Sequence, residues 1–113
     1  MGNQTMEFFT KFKGDVEKMK ELTPDTINGF MSFFGKVMGQ GAMAVREKEL
    51  VALGIAVASS CTPCIRLHVQ KSLAAGAGKE QIIEAASVAV MMAGGPAFTH
   101  IPVVIDALEA LEG

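Results

Sequence analysis

Apolar side chains recur every three or four positions along the first part of the chain, and charged residues fill the positions between them. This spacing is typical of an amphipathic helix. It predicts a first helix over residues 5–22, whose apolar face contains Phe8, Phe12, Val16 and Met19. A second helix is predicted to begin at Thr23-Pro24-Asp25, where the threonine hydroxyl can cap the helix and proline suits its first turn. It is predicted to end near Gly39-Gln40-Gly41.

The second half of the chain is more apolar and predicts four further helices. Residues 46–60 begin with charged positions and then become almost wholly apolar without alternation, which favours a buried helix over a strand. A fourth helix is predicted to begin at residues 61–64 and end at Gly76, and a fifth covers residues 78–94. A sixth is predicted over residues 96–112, kinked at Pro102. The pattern therefore predicts an all-α fold of about six helices in one domain over residues 1–113.

Composition adds an expectation about assembly. Half of the 113 residues are hydrophobic and only 19% are charged, so the chain has more apolar surface than a small domain easily buries. We therefore expect a homo-oligomer. The formal net charge of −2 comes from interspersed charges that form no basic patch, which argues against a nucleic-acid partner. The eight methionines are expected to fill the core.

The segment from Ala85 to Ile105 contains no charged residue and approaches the length of a membrane span. Gly94-Gly95-Pro96 interrupts it, so we expect two helices that meet at a corner within the core or a subunit interface, and no contact with a membrane. His100 in this segment is expected to be a buried, hydrogen-bonded or interface residue. Residues 1–5 lack the pattern of a secretory signal, which favours a cytoplasmic location.

The two cysteines, Cys61 and Cys64, are separated by two residues at the predicted start of the fourth helix. Such a pair can form a small disulfide loop, and the N–H groups of a helix start favour a thiolate. His68 lies four residues after Cys64 on the same helix face, so its imidazole can accept the thiol proton. Glu49 lies on the preceding helix and reaches His68 if the two helices pack antiparallel. This pattern predicts a redox-active dithiol with a glutamate–histidine relay.

The two cysteines also allow other interpretations. They can be two small buried residues that happen to lie close together, or ligands of a structural zinc ion completed by His68 and Glu49. Covalent haem attachment needs a histidine directly after the second cysteine, where this chain has Ile65. A thioredoxin-like domain needs strands around the motif, and the pattern predicts none.

Together these residues resemble a known family. Glu49, Cys61-Thr62-Pro63-Cys64 and His68, in a frame that extends from about Val45 to Gly95, closely resemble the AhpD-like branch of the carboxymuconolactone decarboxylase family. The likeness covers nearly half of the chain. It implies an all-α fold that forms oligomers, commonly trimers or hexamers, and a thiol-dependent peroxidase or disulfide reductase. Peroxidases of this branch often have a further histidine between the cysteines, where this chain has Pro63.

The resemblance also implies a role for each site residue. Cys64 is the cysteine that forms a sulfenic acid, Cys61 is its resolving partner and proton donor, and His68 and Glu49 form the proton relay. The implied substrate is a peroxide or a disulfide. The electron donor is a dithiol of lipoyl, thioredoxin or glutaredoxin type, and neither a cofactor nor a metal is expected.

Two further hypotheses come from other classes of function. The family name suggests decarboxylation of a lactone, a reaction for which paired cysteines are unnecessary. A non-enzymatic module that binds zinc through the same residues is the other.

Overall fold

Helices account for most of residues 3–112, the part of the chain that the computed structural model describes. Within this part there are seven helices and no strand. The helices are α1 (Gln4–Leu22), α2 (Pro24–Met38), α3 (Val45–Ala58), α4 (Thr62–Ala74), α5 (Lys79–Ala93), α6 (Gly95–Phe98) and α7 (Ile101–Glu112). The predicted all-α fold is confirmed, and the first five predicted helices match α1 to α5 closely.

The core lies among the helices of the second half, which we call the core half (α3 to α7). Its largest buried side chains come from four different helices: Leu53 from α3, Ile65 from α4, Ile82 from α5 and Val104 from α7. Burial of each such side chain stabilises the fold by roughly 1.5–3 kcal/mol. The α3–α4 and α3–α5 pairs make the most extensive helix contacts, so α3 is the central helix.

The N-terminal arm (α1 and α2) contributes almost nothing to this core. Thr5 is the arm's one buried residue, and α2 has none. The arm is instead anchored by polar contacts at its start. Thr5 Oγ1 donates to Asp106 Oδ2 at 2.7 Å, and Asn3 Nδ2 donates to Asp106 Oδ1 at 3.0 Å. These bonds fix the beginning of α1 to α7.

The end of the chain differs from the predicted kinked helix. A single turn, α6, ends at Phe98, and the last helix begins afresh at Ile101 with Pro102 in its first turn. Proline is tolerated there because an N–H group in the first turn has no partner within the helix. The expectation of a kink at Pro102 was therefore wrong, since the chain breaks the helix before the proline.

Two local expectations also fail. Thr23 lies at the N-cap of α2, but its side chain makes no capping hydrogen bond, and Pro24 alone marks the start. The methionines do not fill the core, since none in the described residues is buried. The exposed ones are Met6, Met19, Met31, Met43, Met91 and Met92. Met1 lies outside the described residues.

The charge-free segment 85–105 falls across α5, α6 and the start of α7. It contains buried residues such as Ala86 and Val104, and also exposed ones such as Val88 and Phe98. In the described part of the chain, no helix has both the length and the apolar character needed to cross a bilayer.

Candidate active site

The turn between α3 and α4 places the first cysteine. α3 ends with the N–H of Ser60 bonded to the Val57 carbonyl and the N–H of Cys61 bonded to the Ala56 carbonyl. This is the Schellman pattern, which needs a left-handed residue after the helix. Ser60 supplies it with φ of 56°, a conformation that glycine adopts more easily. Cys61 is therefore both the last residue of this turn and the N-cap of α4.

The two sulfurs are joined in a disulfide between Cys61 and Cys64, with the Cα atoms 5.3 Å apart. The backbone N–H of Cys64 donates to Cys61 Sγ at 3.3 Å. Both cysteines are half-buried, while Pro63 between them is exposed. This N–H group in the first turn of α4 faces the Cys61 sulfur and favours negative charge on it after reduction.

The predicted contact between Glu49 and His68 is present. α3 and α4 pack against each other, and His68 Nδ1 lies 2.8 Å from Glu49 Oε1. Glu49 is only 5% exposed and is the one carboxylate among the buried residues of the described chain. Burial of such a group is costly unless it is paired, and His68 is the partner that the structure provides.

This pairing determines which imidazole nitrogen is available for chemistry. An ionised carboxylate can only accept a hydrogen bond, so a neutral His68 that binds it donates from Nδ1 and keeps its lone pair on Nε2. Cys64 lies one turn earlier on α4. Residues four apart on a helix are neighbours, with their Cβ atoms about 6 Å apart. The arrangement can hold a base beside the Cys64 sulfur.

Sequence reasoning missed the residues that surround His68. The Phe34 ring of α2 stacks on the imidazole at 17° with the ring centroids 6.4 Å apart. Lys71 Nζ lies 5.2 Å from the centroid of the same Phe34 ring. Phe34 is one of several apolar residues on α2, and no local signal in the sequence distinguishes it.

Lys48 links α2 to α3. Its ammonium group donates to the carbonyls of Val37 and Gly39, both at 2.7 Å. The last carbonyls of a helix lack partners within the helix, and a lysine can satisfy them. Lys48 thereby joins the end of α2 to α3, directly beside Glu49.

Two remaining candidates are placed by the structure. His100 Nδ1 donates to the Pro96 carbonyl at 2.7 Å, so it is hydrogen-bonded, as expected. Across residues 3–112, no three His, Cys, Asp or Glu side chains are arranged to hold a metal ion. The sulfurs that the zinc hypothesis requires are bonded to each other.

Comparison with known sequences then decides the family. The sequence model of the carboxymuconolactone decarboxylase family matches residues 24–107. The chain belongs to this family. The matched region contains all four candidate site residues and α2, while α1 lies before it. Uncharacterised protein 4 of the cox locus of Paracoccus denitrificans is 34% identical over 86 residues, which cover 76% of this chain and 78% of that protein.

Solved structures of this carboxymuconolactone decarboxylase family share the fold. A family member from Legionella pneumophila superimposes with a TM-score of 0.87 at 30% identity, covering 98% of this chain and 96% of that one. A family member from Thermotoga maritima, for which a part in the antioxidative response has been suggested, gives 0.83 at 27% identity and covers 94% and 90% of the two chains. Both likenesses extend over the core half and the N-terminal arm.

Proposed function

We propose that this family member belongs to the AhpD-like branch and is a thiol-dependent peroxidase that reduces hydroperoxides through Cys61 and Cys64. The observation that carries the proposal is the buried Glu49–His68 hydrogen bond of 2.8 Å, one helical turn from Cys64. Close cysteines alone are compatible with a packing role. A buried carboxylate that orients an imidazole beside them is the arrangement expected of proton transfer.

The proposed cycle has three balanced steps. The Cys64 thiolate attacks the O–O bond of ROOH; with one proton taken up, ROH leaves and Cys64 becomes a sulfenic acid. The Cys61 thiol condenses with that sulfenic acid, which forms the disulfide and releases water. An external dithiol then reduces the disulfide by two thiol–disulfide exchanges and is itself oxidised. The structure corresponds to the disulfide state of this cycle.

The proton relay operates in the first step. His68 Nε2 takes the thiol proton of Cys64, and Glu49 stabilises the imidazolium that forms. The imidazolium then returns a proton to the leaving oxygen. We assign the donor to a dithiol of lipoyl, thioredoxin or glutaredoxin type and place the cycle in the cytoplasm, because a reducing compartment keeps dithiols available.

Mass spectrometry of the reduced protein tests this proposal. After a limiting amount of an alkyl hydroperoxide, we expect a loss of two hydrogens, localised to the peptide that contains Cys61 and Cys64. The matched control is the Cys61→Ser, Cys64→Ser double variant, which should not change in mass. A protein that keeps both thiols under these conditions would refute the peroxidase assignment.

The same preparation separates the alternative chemistries. A disulfide reductase should oxidise its dithiol faster with a small aromatic disulfide than with hydroperoxide, and we expect the opposite order. If the protein is a lactone decarboxylase, it should keep its decarboxylase activity after both thiols are alkylated. If it is the proposed peroxidase, the same alkylation should abolish peroxide reduction.

We also propose that the chain forms a homo-oligomer, a trimer or a hexamer as the family resemblance implies. An open groove of about 440 Å³ between α3 and α5 is lined by apolar residues, with Val51, Ile55, Val88 and Met92 among them. All four of these side chains are more than half exposed. Large apolar surfaces of this kind mark interfaces. A folded monomer of 11.9 kDa in light scattering at micromolar concentration would exclude the oligomer.

A further inference from the structure

The helix α2 contacts His68 through Phe34, although it contributes no buried residue to the core. It has no buried residue, and Phe30 and Phe33 are more than half exposed. Phe34 is half-buried, and its ring stacks on His68. Phe30 packs on Phe34 from the same helix, with ring centroids 5.9 Å apart. The aromatic residue nearest to the imidazole is thus supplied by the otherwise loosely packed arm.

Two lysines connect Phe34 and its helix to the helices that carry the catalytic unit. Lys71, on the same helix as His68, lies with Nζ 5.2 Å from the centroid of the Phe34 ring, a cation–π distance. Lys48 bonds two carbonyls at the end of α2. One lysine therefore fixes the ring and the other fixes the helix that carries it, and both come from the helices that supply Glu49 and His68.

A histidine held by one hydrogen bond is still free to turn. The torsion that rotates an imidazole ring is broad and roughly two-fold, so a half-turn exchanges the positions of the two ring edges. In that orientation Nδ1 leaves Glu49, and the hydrogen bond that orients the imidazole is lost. A ring stacked on the imidazole face restricts this rotation.

We propose that Phe34 is a positioning residue for His68: its ring holds the imidazole in the orientation in which Nδ1 binds Glu49. Phe34 touches neither the sulfurs nor the substrate in this account. The effect on turnover rests on the proposed peroxidase function, whereas the effect on the imidazole itself does not.

Nitrogen-15 NMR of the full chain tests the proposal, because the protein has only two histidines and His100 serves as an internal reference. In the wild type we expect His68 to show one neutral tautomer with the proton on Nδ1. Phe34→Ala should give averaged nitrogen shifts at His68 and leave His100 unchanged. Phe34→Tyr retains the stacked ring and should restore the single tautomer. The matched control is Phe33→Ala, whose ring is 65% exposed and which should leave His68 as in the wild type.

Peroxide reduction gives the second readout. Phe34→Ala should slow it by roughly ten-fold, less than the 10²–10⁴-fold expected from loss of the base itself, and Phe34→Tyr should recover it. A wild-type His68 tautomer and rate in Phe34→Ala would overturn the proposal. If that variant does not fold, Phe34→Leu decides in its place: it fills the space but does not stack, so a wild-type tautomer there would overturn the proposal equally. A changed tautomer in a protein that never reduces peroxide would sustain the positioning role and refute the peroxidase function.

Discussion

The core half and the N-terminal arm are both helical and both rich in apolar residues, yet they are held in place differently. The thirteen buried hydrophobic residues of the described chain all lie between Leu53 and Leu108. The arm contributes none of them. It is attached by hydrogen bonds from Asn3 and Thr5 to Asp106, by Lys48 at the end of α2, and by the contact of Phe34 with His68.

This difference shows that an apolar face does not by itself make a core. The core half closes on itself because four helices bring apolar side chains to one centre, and the same packing buries Glu49 beside His68. The arm has an equally regular pattern, but among the described residues it buries no apolar side chain. Stability should therefore reside in the core half, while the arm supplies local contacts.

The largest expected effect is the loss of reaction with peroxide when the cysteines at the start of α4 are replaced. This result would locate the chemistry in the core half. Cys64→Ser removes the proposed nucleophile and should abolish sulfenic acid formation. Cys61→Ser should react once with peroxide and then stall with a sulfenic acid on Cys64. Trapping with a dimedone-type reagent measures both. The N–H group that faces Cys61 Sγ favours the reverse assignment, so label on Cys61 in Cys64→Ser and none on Cys64 in Cys61→Ser would exchange the two roles.

A matched pair of leucines tests the difference in stability between the two regions. Leu53→Ala, at a fully buried position on α3, should lower the free energy of unfolding by about 2–5 kcal/mol. Leu22→Ala, at a position that is 85% exposed at the end of α1, should change it by less than about 0.5 kcal/mol. Urea unfolding monitored by circular dichroism measures both. Similar losses in the two variants would mean that the arm is buried as deeply as the core.

The smallest expected effect concerns the anchor of the arm. Asp106→Ala leaves the buried Thr5 hydroxyl without its acceptor, at a cost of about 1–3 kcal/mol. Because the arm lies outside the core, we expect local opening of α1 with little change in global unfolding. Hydrogen exchange should be faster at the first turns of α1 and unchanged in α3. Asp15→Ala is the control, because the salt bridge of Asp15 with Lys11 is at the surface. Equally faster hydrogen exchange in α1 and α3 of Asp106→Ala would refute the proposal that Asp106 anchors α1 locally.

Much of the fold could be predicted because its signals are local. The 3.6-residue spacing in α1 and α2, the proline near the start of α4 and the glycines that follow α4 each depend on neighbours in the sequence. The Glu49–His68 contact was also predictable, since it needs only two consecutive helices that reverse direction. Pro102 was misjudged because the same residue is allowed at a helix start and disfavoured within a helix.

The surroundings of the site depend on packing between distant helices, so they could not be predicted. Phe34 lies thirty-four positions before His68, and nothing in its neighbourhood distinguishes it from Phe30 or Phe33. Lys48 resembles any charged residue of a first helical turn until the end of α2 is seen beside it. The prediction that the methionines fill the core was wrong for a related reason. The apolar character of a side chain does not specify whether the surface that covers it comes from the same chain.

The central claim is that the buried Glu49–His68 pair activates Cys64. The most direct measurement is the rate at which the reduced protein reacts with peroxide between about pH 6 and about pH 9, in the wild type, Glu49→Gln and His68→Ala. At neutral pH we expect both variants to be slower by about 10²–10⁴-fold. The gap should narrow as pH approaches about 8.5, where an unassisted thiol ionises. Near wild-type rates at neutral pH, in variants that are folded and assembled as the wild type is, would contradict the account.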